Sequence, residues 1–336
     1  MKLEAASWIC PKEDMGSVCP VFWKEFSCPK PVIKAEMWLT ALGVYEARLN
    51  GQRVGDYVLA PGWTAYEKRL QYQQYDITKL LQENNSITVT VGRGWMRSRI
   101  GLGDIEGRMR QPCGILGAIH ILYYDGSEDI LHTDSSWVCA ESGTRFSEIY
   151  DGEIHDATFE PENWQSVRVL SWPKEILIPQ EGDEIREMER VSAKSVIITP
   201  RGETVVDFGQ EVTGYVEFTV EAKGQEQIRI QHGEVLDKDG NFYNENYRSA
   251  KSEIRYTCKE GIQTWHPTLT FFGFRYIKIE GLAEMPKLEQ FTAIVVYSNI
   301  RQTGTLNCSN SKLNQLFSNI FWGQKGNFLD VPTDCP

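Results

Sequence analysis

From about Val32 to Ile300 the chain is written in short runs in which apolar and polar residues alternate. The clearest are Trp38–Tyr45, Glu46–Asn50, Ile87–Val91, Ala118–Tyr124, Tyr215–Val220, Gln227–Gln231, Glu253–Tyr256, Arg275–Ile279 and Phe291–Tyr297. A period of two puts successive side chains on opposite faces of a strand, and these runs are rich in the β-branched and aromatic residues that strands favour. Turn residues punctuate them. Asn50-Gly51 and Asp125-Gly126 are hairpin signals, because both pairs tolerate the positive φ that tight turns need. No alternation of strand and helix of about 30 residues occurs, which excludes a parallel nucleotide-binding sheet.

Between about Pro161 and Glu189 the pattern lapses into a polar stretch containing proline and glutamate, which reads as a linker and divides the β region into two sandwiches. After Ile300 the period changes. Leu313, Leu316, Phe317, Ile320 and Phe321 recur at helical spacing behind Ser309-Asn310-Ser311, any of which can cap the first turn. The spacing predicts one amphipathic helix of about 15 residues, whose apolar stripe needs a partner. The fold class is therefore mainly β: two consecutive antiparallel β-sandwiches followed by a helix that opens a further domain.

Length agrees with that division, since 336 residues hold two to three domains of roughly 100–200 residues each. Lys and Arg total 35 against 46 Asp and Glu, a net charge of -11. That balance argues against nucleic acid and against an anionic membrane surface as partners, and leaves neutral sugars unpenalised. The eight cysteines contain no C-x-x-C pair and are read as thiols of a reducing compartment. The first residues carry no apolar leader, so the cytoplasm is the expected location; homo-oligomerisation stays open.

Candidate chemistry is sparse. Asp151 and Glu153 fall in an acidic segment, Tyr150–Asp156, where ionised oxygens could accept hydrogen bonds from sugar hydroxyls; a charged turn is the competing reading. Trp63 and Trp95 follow glycine turns where an indole could stack on a sugar face, against the alternative of filling the core. Asp237-Lys-Asp-Gly-Asn241 departs from a calcium loop in the position of its glycine and reads as a solvated turn. His232 and His266 read as hydrogen-bonded sheet histidines, because no metal-ligand spacing joins them to other histidines. Asp334 stands in Asp330-Val-Pro-Thr-Asp-Cys-Pro336, a stiff loop that could aim it into a cleft.

Several strings together resemble the bacterial α-L-rhamnosidases over nearly the whole chain. Ala41–Asp56, Leu59–Tyr66 and Tyr72–Thr78 are similar to the family's N-terminal jelly-roll module. Val206–Gln210, His232–Glu234, Tyr247–Ala250 and Phe272–Tyr276 are similar to the concanavalin-like β-sandwich that follows it, and Asn327–Pro336 resembles the opening of the catalytic (α/α)6 barrel. The resemblance implies an N-terminal extension over 1–35, a jelly roll over 36–165, a sandwich over 185–300 and the start of the barrel over 301–336.

It further implies hydrolysis of terminal α-L-rhamnose from glycosides with inversion, by a general-acid and a general-base glutamate. The family's aspartate in Asp-Cys-Pro falls on Asp334, which would hold the rhamnose hydroxyls. Both glutamates are expected beyond Pro336, so this chain would be an N-terminal fragment that is inactive alone. In some relatives the jelly roll binds rhamnose with calcium through an Asp-Asn pair before a tryptophan. Here Arg93-Gly94 precede Trp95, which removes the oxygen ligands calcium requires; no cofactor is expected. The rival reading is a stand-alone carbohydrate-binding or structural sandwich protein, engaging a sugar through Asp151, Glu153 and Trp63.

Overall fold

The computed structural model describes residues 2–100, 106–107 and 110–333, so that Asp334 lies outside the described residues. Contacts group the chain into two units, one of residues 1–150 with 154–181 and one of residues 151–153 with 182–336.

In the first unit two sheets supply the strands of a sandwich. One runs in the order Arg168–Val169, Ile9–Cys10, Ile115–Tyr123, Val32–Ala41, Leu70–Asp76 and Leu177–Pro179, with Glu128–His132 also paired to Ile115–Tyr123. Its last pair is parallel. The other runs Gln165–Ser166, Val138–Glu141, Pro20–Ser27, Asn84–Gly92, Val44–Leu49 and Gln52–Arg53. Burial follows the alternation: Ile119, Ile121 and Tyr123 are buried, and so are Ile87, Val89 and Val91. The run Trp38–Tyr45, read as one strand, is in fact two. Val32–Ala41 ends before a bend at Leu42-Gly43, and Val44 begins a strand of the other sheet. Gly43 makes this switch possible. It sits at φ 135°, and a Cβ there would lie 2.2 Å from the Gly92 carbonyl oxygen.

In the second unit one strand, Thr204–Lys223, organises the sheet. Antiparallel to it lie Ser195–Ile198, Phe272–Glu280, Glu260–Trp265 and Phe291–Ser298. Ile185–Ser192 extends the sheet beyond Phe291–Ser298, and Gln227–Gly233 with Glu253–Thr257 extends it beyond Phe272–Glu280. A strand of 20 residues can serve so many neighbours because it bends: its register against Phe272–Glu280 shifts between Asp207 and Val212. Phe208, Phe218 and Phe274 are fully buried around it, and Phe218 meets Tyr256 edge-on at 5.3 Å.

The one long helix among the described residues, Ser311–Asn327, is capped by Asn310, whose side chain accepts the Lys312 amide hydrogen. The expected stripe is present and divided. Phe317 and Phe321 are half-buried, whereas Leu313, Leu316 and Ile320 remain exposed. No described helix is long and apolar enough to cross a membrane.

Truncating Phe218 to alanine removes the aromatic centre of the second unit, and a loss of about 3–5 kcal/mol is expected. The urea midpoint of the purified chain reads this directly.

Candidate functional site

The approach to the Asp-Cys-Pro segment is held by backbone as much as by side chains. After the helix, Phe328–Leu329 and Val331–Pro332 form a minimal hairpin whose turn is Asp330 at φ 70°. Leu329 is completely buried and pins the hairpin. The Asp330 amide donates to the Ser298 hydroxyl at 2.8 Å, and the amide and hydroxyl of Thr333 both donate to the Asn327 carbonyl at 2.9 Å. At the helix end, Thr213 donates to the Gly326 carbonyl and Lys325 pairs with Glu189. The chain is thus fixed up to the residue before Asp334. Beside it a groove of about 860 Å³ opens, walled by Met188, Tyr297, Ile300, Phe317, Phe321 and Phe328.

The other residues singled out in the sequence occupy separate places. Glu153 lies on the short strand Gly152–Asp156, not on an open loop, and is 2% exposed, accepting the Leu269 amide hydrogen at 3.3 Å. Asp151 is 8% exposed, with the Lys251 ammonium at 3.8 Å. The two carboxylates are therefore engaged with protein groups instead of standing together at the surface.

In the first unit Trp63 and Trp95 stack on each other, centroids 5.8 Å apart and planes 11° from parallel. Trp95 is 3% exposed, which leaves it no open face, and Trp63 is half-buried. The loop bearing Trp95 is organised by Glu148, a carboxylate 1% exposed that accepts hydrogen bonds from the Ser98 hydroxyl, the Arg99 amide and the Tyr150 amide. Three donors satisfy the buried charge, as burial requires.

Asp237 closes its turn on the amides of Asp239 and Asn241 and faces Arg201, which is the arrangement of a solvated hairpin turn. His232 is completely buried; its Nδ1 lies 2.9 Å from the Ser252 carbonyl, and burial holds the ring down at about 3, so it stays neutral. His266 stacks on Tyr215. Among the described residues no group of three or more His, Cys, Asp or Glu side chains is arranged to hold a metal ion.

One carboxylate pair was not singled out in the sequence. Strand Phe272–Glu280 runs between Thr204–Lys223 and Gln227–Gly233, so Glu211 and Glu234 arrive from opposite sides over Gly273. Their oxygens lie 4.0 and 3.8 Å from where a Gly273 Cβ would stand. Asn246 donates to Glu234 at 3.0 Å, and the hydroxyl of the half-buried Tyr247 donates to the Gly273 carbonyl. Glu211 is an exposed residue, yet neighbouring protein atoms and then repulsion from Glu234 push its carboxyl up to about 8, against the pull of Arg275. Arg275 itself forks onto Asp207 at 2.8 and 2.9 Å. Only strand register joins Glu211 to Glu234, which are 23 positions apart in sequence.

Comparison with known proteins gives three consecutive matches. Residues 30–189 match the α-L-rhamnosidase N-terminal domain, 197–297 the bacterial α-L-rhamnosidase concanavalin-like domain, and 301–336 the bacterial α-L-rhamnosidase 6 hairpin glycosidase domain. An α-L-rhamnosidase of Formosa agariphila is 35% identical over 329 residues, which cover 93% of this chain and 35% of that protein. The crystal structure of the α-L-rhamnosidase of Aspergillus terreus superposes with a TM-score of 0.91 at 36% identity, covering 99% of this chain and 41% of that one. That of Streptomyces avermitilis, solved with L-rhamnose, gives 0.88 at 34% identity over 95% of this chain and 32% of its own. The chain thus spans about a third to two-fifths of the length of these relatives.

The Glu211 carboxyl gives the molecule a measurable pH signature. The folded state binds this proton more tightly than the unfolded chain, so its contribution to stability is complete below about pH 4 and is lost as pH rises toward 8. Glu211→Gln is expected to flatten that fall in the urea midpoint, and the difference from the parent is greatest above pH 8.

Proposed function

The chain belongs to the bacterial α-L-rhamnosidase family, and from that premise we propose that it supplies the two β domains and the opening of the catalytic domain of an enzyme that removes terminal α-L-rhamnose from glycosides. The order of the three domain matches along one chain carries the reading. Inverting hydrolysis needs one carboxylic acid to protonate the leaving oxygen and a carboxylate to activate water, set about 6.5–9.5 Å apart. In this reading both come from the six-hairpin domain beyond the 36 residues matched here, and Asp334 contributes a contact to the sugar hydroxyls. The fixed hairpin that leads to Asp334 supports that role, since a sugar contact gains from a pre-positioned backbone.

The reading requires no metal or organic cofactor, as acid–base chemistry on a glycosidic bond needs only the two carboxyl groups. A cytoplasmic setting is supported by the described cysteines, all of which are free thiols. Neutral rhamnosides suit the acidic chain as substrates.

Two proteins test the proposal: residues 1–336, and the same residues continued through the entire six-hairpin domain. The longer protein is expected to turn over an aryl α-L-rhamnoside and the shorter one to show none. Turnover by pure 1–336 would overturn the assignment of acid and base, and would move attention to Glu211 and Glu234. Absence of turnover in the longer protein would overturn the substrate.

A further inference from the structure

A second pocket, in the first unit, has a chemistry that the rhamnosidase reading does not use. Its volume is about 310 Å³, enough for a ligand of monosaccharide size. It is framed by the segment that follows strand Ile9–Cys10, by Arg97, by Arg110–Cys113 and by Arg168. Among the described residues four cations line it, Lys12, Arg97, Arg110 and Arg168, against two acids, Glu13 and Asp14. Arg110 pairs with Glu106. Among the described residues Lys12, Arg97 and Arg168 make no ion pair, in a chain with 46 acidic side chains. Asp14 spends one oxygen on the Gly16 amide hydrogen, closing its own turn.

Arg97 is the informative member. Its Nε is shut off from solvent and has no hydrogen-bond partner among the described residues. A buried donor of a charged group that goes unpaired is among the costliest defects a protein can carry, and a fold seldom retains one that nothing fills. The neighbours do not relieve it. Arg93, one turn earlier and joined through the Arg97 amide to its carbonyl, brings a second positive charge; burial and then Arg97 hold its guanidinium below the usual arginine range. The Cys113 thiol lies against Arg97 yet is pushed up to about 11 by burial, so it remains neutral and supplies no counter-charge. The geometry therefore leaves positive charge concentrated on a small cavity, with the neutral Cys113 thiol against the Arg97 guanidinium and no partner for its Nε among the described residues.

We propose that this pocket is a binding site for the oxyanion of a small ligand, a carboxylate or sulfate group of the kind carried by acidic sugars, with Arg97 as the central donor and Arg168 and Lys12 at the mouth. Guanidinium pairs with such groups through parallel charge-assisted hydrogen bonds, which a neutral hydroxyl cannot match. The site is independent of hydrolysis, so it can stand or fall without affecting the proposed activity.

Isothermal titration of residues 1–336 at low ionic strength with D-glucuronate, inorganic sulfate and L-rhamnose tests it. Saturable binding of glucuronate or sulfate is expected, weakening with added salt and falling about tenfold or more in Arg97→Gln. Tighter binding of glucuronate than of sulfate assigns the site to an acidic sugar, and the reverse order to a free inorganic ion. Should Arg97→Gln fail to fold, as read by circular dichroism, Arg168→Gln at the exposed mouth takes its place and is expected to weaken binding in the same direction. No saturable binding of either anion up to about 10 mM, affinity unchanged in the folded variant, or rhamnose binding as tightly as glucuronate would each overturn the proposal.

Discussion

The second unit depends on one close approach. At Gly214 the strand Thr204–Lys223 sits at φ 153°, and a Cβ would fall 1.9 Å from the Ile294 carbonyl oxygen. No other residue fits there without moving backbone. Because the strand can press against Phe291–Ser298 at this point, its two halves can serve different neighbours: the first is laid along Ser195–Ile198 and Phe272–Glu280, the second along Glu260–Trp265 and Phe291–Ser298. The polar residues of the bend follow from the same geometry. Asp207 and Glu211 flank the register shift, so the fork from Arg275 and the crowding with Glu234 are consequences of where the ladder breaks. Burial works against the Asp207 charge, and the Arg275 fork with the Gly209 amide outweighs it, holding the carboxyl below its usual range.

The first unit shows how burial sorts charge. Glu148 ends the strand Thr144–Glu148 and bonds Ser98, the residue after Arg97; Glu148 is buried and Arg97 half-buried, but their fates differ. Glu148 is met by two amides and a hydroxyl, and these fix the loop that carries Trp95. Its charge is a structural device, in which lost hydration is replaced by oriented dipoles. Among the described residues Arg97 has no such replacement at Nε. The contrast between a satisfied and an unsatisfied buried charge is what separates a group serving the fold from one that the fold alone leaves unexplained.

The alternation of the β runs was legible because each sandwich has one buried and one wetter face, and the helix was legible because its period is unlike theirs. Phe291–Ser298 and Ser311–Asn327 could be read almost to their ends, and Asn310 does cap the helix. Gly43 was not legible as a break. The residues on both sides are apolar, and only the proximity of Gly92 forces the chain to change sheets there. The site was less legible than the fold. Acidity and aromaticity marked Glu153 and Trp95, but neither property reports burial, and both side chains are enclosed. Glu211 and Glu234 carried no local signal, since register alone assembles them. The strings quoted for family resemblance carried the family assignment, which patterning lacked.

The helix Ser311–Asn327 shows how little of its own stability a solvated amphipathic segment supplies. None of its residues is fully buried, and a free helix of 17 residues is marginal in water. What holds it is concentrated at the ends and on one edge: the Asn310 cap at the start, the Thr213 bond to Gly326 and the Lys325 pair with Glu189 at the finish, and Phe317 and Phe321 along the groove. Lys325 also stands at the helix C-terminus, where a cation is favoured by the backbone dipole, and lies 4.4 Å from the Trp322 ring centre. The Thr213 bond, the Glu189 pair and the Trp322 contact secure the C-terminal turn more firmly than the middle, where Leu316 and Ile320 face water. The firm end is the one from which Phe328–Pro332 departs, so the helix acts chiefly as a mount for the hairpin that precedes Asp334.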